Sequence, residues 1–172
     1  MLVTSHILAG AALGTLFSNR PGGVVIGFGV GVLSHYILDA VPHWERLFGP
    51  HYNNTLSKNH HDWPRHILVQ GAMDLLVGVV LLRYFAFQAN RPLAQAIFWG
   101  GIGGALPDII DNAPFWSHMT KNLPFLKITM RVHRRVHIPV TKQLKLPKYT
   151  GLLTQLVICC SAAWFLIVAA GR

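Results

Sequence analysis

Four of the six acidic residues, Asp39, Asp74, Asp108 and Asp111, stand inside apolar stretches of the chain, as do His6 and His35. A carboxylate in a low-dielectric interior is costly unless a cation or hydrogen-bond donors accompany it. Imidazole together with carboxylate is a donor set for Zn²⁺, Mn²⁺ or Fe²⁺. The two cysteines, Cys159 and Cys160, are neighbours in sequence. They have neither zinc-site nor disulfide-framework spacing, which disfavours a structural thiolate zinc site. His35, Asp39 and His43 are spaced i, i+4, i+8 and share one face of a helix; Asp108 and Asp111 are i, i+3 on another. The candidate metal ligands are therefore His6, His35, Asp39, Asp74, Asp108 and Asp111, for one or two divalent ions, Zn or Mn foremost. Two such ions activate water and clamp a phosphate, and a carboxylate left unligated, Asp108 or Asp111, would serve as general base.

A second constellation lies nearer the C-terminus. In His133-Arg134-Arg135-Val136-His137 the two histidines share a face if the stretch is helical. Arg134 and Arg135, with His133, would hold a phosphate or lipid headgroup, and His137 is a further candidate for proton transfer. A solvated basic loop with incidental histidines explains the same residues. His60-His61-Asp62-Trp63 forms another polar group. For the main cluster, the competing explanation is a set of buried hydrogen bonds and ion pairs that only fixes helix packing. A proton or ion pathway would need polar residues continuing across the bilayer. A bis-histidine haem site is disfavoured by the carboxylates beside the histidines.

The elements that must position these groups are membrane helices. The chain of 172 residues is 52% hydrophobic and only 12% charged, against roughly a quarter charged in soluble domains. A hydrocarbon core of roughly 30 Å needs about 20 apolar residues of helix. The stretches 22–41, 67–87, 92–113 and 150–170 meet that length, and Leu2–Phe17 is a shorter apolar segment. A signal peptide is disfavoured for the latter, because no Lys or Arg precedes it and no polar cleavage stretch follows. The expected fold is all-α: one membrane domain of about five transmembrane helices. At 1.5 Å per residue, the six buried polar groups fall roughly 5–13 Å inside one interface.

Two copies of a hairpin are legible. Asn19-Arg20-Pro21 recurs as Asn90-Arg91-Pro92, and Asp39-Ala40-Val41-Pro42-His43-Trp44 as Asp111-Asn112-Ala113-Pro114-Phe115-Trp116. His6 with Gly10 matches Asp74 with Gly78. Repeat one covers 1–44 and repeat two 67–116; a basic loop, 117–149, and a last helix, 150–170, follow. Two spans per copy point both the same way, related by an axis along the membrane normal. Gly10/Gly14, Gly27/Gly31 and Gly100/Gly104 are small-xxx-small pairs suited to close helix approach.

With five spans, Arg46, Lys58 and Arg65, and the Lys and Arg residues between Lys121 and Lys148, share one side with the N-terminus, while Arg20, Arg83, Arg91 and Arg172 lie towards the other. The positive-inside rule places the first side in the cytoplasm of a multi-pass inner-membrane protein. The net charge of +9 is accounted for by this topology and by anionic lipid headgroups rather than by nucleic acid.

Thr4-Ser5-His6, Ser34-His35-x-x-x-Asp39, Pro107-Asp108-x-x-Asp111 and His133-Arg134-x-x-His137 resemble motifs of the YdjM-like inner-membrane proteins, a family of membrane-bound metal-dependent hydrolases distantly similar to the zinc-dependent phospholipase C group. The order is altered: Ser-His-x-x-x-Asp comes first here and late in the family pattern, and the Pro-Asp motif carries one extra residue. The resemblance implies an all-helical, metal-dependent hydrolase acting on phosphoester or lipid-linked substrates. The alternatives are a non-catalytic membrane scaffold and a divalent-cation transporter.

Overall fold

Alanine, glycine and leucine dominate Val3–Thr15, with no proline inside it, and this stretch folds as helix α1. The computed structural model describes residues 1–41, 43, 65–112, 123–136 and 148–171. Five further helices follow: α2 (Gly23–Asp39), α3 (Arg65–Phe87), α4 (Arg91–Asn112), α5 (Pro124–Val136) and α6 (Lys148–Ala170). No strand occurs among the described residues. Five helices fall within two residues of the apolar stretches expected from sequence. The sixth, α5, lies where a basic loop was expected.

Helix α1 is the axis of the bundle. It packs against α2, α3, α4 and α6, and ten of its residues, from Thr4 to Thr15, are buried. A helix buried on every side needs no polar face. Its closest neighbours are α2 and α4, and glycine makes that approach possible. A Cβ on Gly10 or on Gly31 would collide with the carbonyl of Gly100, and one on Gly104 with the carbonyl of His6. Gly14 and Gly27 meet in the same interface. All three small-residue pairs thus lie where helix backbones touch.

The chain enters α2 through consecutive turns, Arg20 N–H donating to the Phe17 carbonyl and Gly23 N–H to that of Arg20. Gly22, at φ 71°, caps the helix in the left-handed region that glycine adopts without strain. The equivalent tripeptide behaves differently at α4, where the Asn90 side chain accepts from Leu93 N–H at 3.2 Å, an N-cap one residue before Arg91.

The burial pattern is inverted relative to a water-soluble bundle. His6, His35 and Asp39 are 0% exposed, whereas Val69 on α3 is 60% and Trp164 on α6 69% exposed. Large apolar side chains facing outward along α3 and α6 suit a hydrocarbon solvent. Among the described residues, three helices are long and apolar enough to cross a membrane: Leu68–Phe87, Arg91–Asp111 and Tyr149–Ala170. Gly23–Asp39 is apolar but shorter.

Helix α5 is amphipathic. Leu126, Thr129, His133 and Val136 are buried or half-buried, at helical spacing, while Lys127, Arg131 and Arg135 are exposed. It packs on α2 and α4. A helix of this composition suits a membrane interface, where its apolar face would turn inward.

Candidate metal centre

Helices α2 and α4 both run to an aspartate in the last turn, Asp39 and Asp111. A carboxylate at the negative end of the helix dipole is unfavourable by itself, so the neighbourhood must supply positive charge. It supplies histidines and the N-terminal ammonium of Met1, 3.6 Å from Asp39 Oδ1. Asp39 Oδ1 lies 3.1 Å from His6 Nε2, and its Oδ2 lies 3.1 Å from His35 Nε2. His133 Nε2 of α5 reaches the same Oδ2 at 2.9 Å. Asp108 Oδ1 stands 3.9 Å from His35 Nε2 and 3.8 Å from His133 Nε2. Four helices, α1, α2, α4 and α5, thus contribute to one centre.

The glycine contacts explain how the rings come so close. Where α1 and α2 converge on α4, the His6 and His35 rings stack with centroids 3.9 Å apart. Pro107 inside α4 has no N–H to give to the carbonyl four residues back. The neighbouring Gly104 carbonyl accepts from His35 Nδ1 at 2.8 Å. A ring whose Nδ1–H is bound to a backbone carbonyl presents its Nε2 lone pair to the other side, the arrangement of metal-ligating histidines. His133 repeats the pattern with a carboxylate, its Nδ1 lying 3.2 Å from Asp111 Oδ2.

The His35 Nε2 lone pair therefore faces a carboxylate oxygen at 3.1 Å and the Nε2 of His133 at 3.3 Å. Acceptors do not face acceptors unless a proton or a metal ion stands between them. The ligand atoms of His6, His35 and Asp108 lie within 4.8 Å of one another, as do those of His35, Asp39 and His133. Donors at about 2.0–2.1 Å from a tetrahedral ion are about 3.3 Å apart, so the separations have room for a common cation as well as for hydrogen bonds. His6 Nδ1 is buried with no hydrogen-bond partner among the described residues. Burial alone would push the His133 imidazole down; its contacts with Asp111 and Asp39 and the nearby charge of Asp108 outweigh that and lift it to about 9. Without metal, then, an imidazolium neutralises part of the carboxylate charge. The buried His/Asp cluster can hold a metal ion.

Five of the six ligands expected from sequence, His6, His35, Asp39, Asp108 and Asp111, gather here, Asp111 as the outer partner of His133. Asp74 does not. Its carboxylate accepts from Val3 N–H at 2.6 Å and Thr4 N–H at 3.4 Å, and from the Thr4 hydroxyl at 2.6 Å. It caps the N-terminus of α1, on the side facing α3. His43 lies beyond the end of α2 and so does not extend the His35–Asp39 helix face; it is buried, its Nδ1 donating to the Val41 carbonyl at 2.8 Å. His133, expected at a phosphate, points instead into the centre. The buried or half-buried stripe Leu126, Thr129, His133, Val136, interrupted by basic residues, is the sequence signal that could have shown it. Arg135 is exposed, and Arg134 belongs to α5. His137, His60, His61, Asp62 and Pro114 lie outside the described residues.

Comparison with protein-family models, with curated proteins and with solved structures finds no match to this chain.

Proposed function

We propose that this protein is a membrane-embedded metal-dependent hydrolase of the YdjM-like kind, acting on phosphoester or lipid-linked substrates. The observation that carries the reading is a pair of ligand groups of metal-site dimensions, His6, His35 and Asp108, and His35, Asp39 and His133, which share His35. A bound Zn²⁺ or Mn²⁺ would lower the pKa of a ligated water and polarise a phosphoryl oxygen. The chain's own groups do the rest. Gly104 and Asp111 orient the two rings through Nδ1. Asp108, 3.8–3.9 Å from the ring nitrogens of His133 and His35, would take a proton from water where the ion is held by the other ligands. Burial under α1 and α5 limits access by bulk water.

The same reading includes the five-span topology, with α1 and α2 crossing beside the three longer helices, the N-terminus and basic segments cytoplasmic, and the two hairpins as tandem repeats. The joint packing of α2 and α4 on α1, and their matching aspartate ends, support the repeat. Reporter fusions after Arg172 and within 121–148 should report opposite sides of the membrane; the same side for both would refute five spans.

A non-catalytic scaffold is favoured by one observation, the seat of His133 between Asp39 at Nε2 and Asp111 at Nδ1, since a proton there can also neutralise the carboxylates. Metal analysis separates the two. Purified hydrolase should carry Zn or Mn, lose phosphodiesterase activity to a chelator and regain it on metal addition. A protein with no bound metal, no activity and a melting temperature indifferent to chelator and to metal would leave the scaffold reading in its place.

A further inference from the structure

Beside the centre, a cleft of about 200 Å³ opens between α2, α4 and α5. Phe28 and Val32 of α2, Pro107 and Ile110 of α4 and Leu126 of α5 line it, and Asp111 and His133 border it as well. The lining positions Phe28, Val32 and Tyr36 recur every turn of α2, spanning about 12 Å. That line ends next to His35 and Asp39. The cleft is therefore an apolar slot that runs along the membrane helices and finishes at the polar cluster. Its α5 wall belongs to the interfacial helix whose Lys127, Arg131 and Arg135 are exposed, which sets the polar end at headgroup depth.

We propose that this slot holds a hydrocarbon chain of a membrane amphiphile, whose phosphate-bearing head reaches the His/Asp cluster. Substrate enters sideways from the bilayer rather than from water. The walls carry no charge until Asp111 and His133, so they select a chain and not a sugar, peptide or nucleotide. An anionic head suits the cluster once a divalent ion is bound, and it meets the basic face of α5 on the way in. The fate of the head rests on the hydrolase reading; the seat of the chain does not.

The test uses metal-loaded full-length protein in nanodiscs and a tetradecylphosphonic acid carrying a diazirine in its chain. Photolabelling should concentrate on peptides containing Phe28, Val32 and Leu126, and excess unlabelled tetradecylphosphonic acid should suppress it several-fold. Val32→Trp, which fills the slot, should remove this labelling while the metal-dependent rise in melting temperature persists. Leu126→Trp, on another helix, serves the same purpose should the first variant fold poorly. The same chain ending in an alcohol should label the slot several-fold less. Labelling spread over the outward faces of α3 and α6, unchanged by either variant, overturns the slot. Equal labelling by alcohol and phosphonate overturns the placement of the head. Slot labelling without any hydrolysis would refute the hydrolase and leave the binding site standing.

Discussion

Asp39 and Asp74 are both aspartates set in apolar helices packed on α1, yet their surroundings differ in kind. Asp74 meets hydrogen-bond donors: two backbone N–H groups at the start of α1 and the Thr4 hydroxyl. Those amides have no partner within their own helix, so carboxylate and helix end satisfy each other. On the same side, Gln155 of α6 accepts from Leu2 N–H at 3.0 Å, and the Ser5 hydroxyl lies 3.2 Å from Cys159 Sγ. The region is closed, with each polar group matched. Asp39 instead meets three imidazole nitrogens, and one of those rings has already given its Nδ1–H to Gly104. The N-terminal ammonium, 3.6 Å from Asp39 Oδ1, adds a cation, and the His35 Nε2 lone pair still faces a carboxylate oxygen, which calls for a proton or a metal between them. A buried carboxylate is thus evidence of a site when titratable, metal-ligating rings surround it, and not when backbone amides do.

The sharpest way to break this comparison is Asp39→Asn. Divalent metal should raise the melting temperature of the wild type, by an amount set by metal concentration over affinity, and the variant should show no rise. Asp62→Asn, in the polar group before α3, should keep the full response. A persistent metal response in Asp39→Asn would place the ion elsewhere.

A smaller effect is expected at the outer partner. Asp111→Asn weakens the carboxylate that orients His133, and losses of this type cost about 10–100-fold in metal affinity. Titration against a competing chelator measures it. Unchanged affinity would mean that His133 is not a ligand.

The smallest effect belongs to the closed region. Asp74→Asn leaves donors at the start of α1 poorly paired and should destabilise by about 1–3 kcal/mol. The loss should be the same with and without metal, and the metal affinity should not move. If Asp74→Asn selectively removed the metal response, the division between the two regions would fail.

Much of the fold was legible because membrane helices are written in long apolar runs, and no soluble-domain periodicity had to be disentangled. The level of each polar group along its helix follows from rise per residue, which converts position directly into height. Asp74 shows the boundary of that reasoning. It does lie level with the start of α1, where His6 stands, but height says nothing about rotation around the axis, and α3 turns it towards Thr4 rather than Asp39. Asp111 was expected as a ligand, and it is the His133 ring between it and the centre that makes it an outer partner. Helix α5 was obscured by its charge: four basic side chains in thirteen residues look like a loop unless the stripe through His133 is traced at helical spacing.

The sequence by itself determined the all-helical class of the protein, the helices that carry polar groups, the glycine pairs along which they touch and the end of the bundle where histidines and carboxylates collect. Those properties follow from composition and one-dimensional spacing. Only the tertiary structure decided which of the polar groups meet. Glycine contacts at Gly10, Gly31, Gly100 and Gly104 set the rotation of α1 and α2 against α4 to within a side chain's width. A metal-sized centre depends on that rotation, because donors from four helices must agree to within a few tenths of an ångström, and no local pattern in the chain encodes an angle between helices.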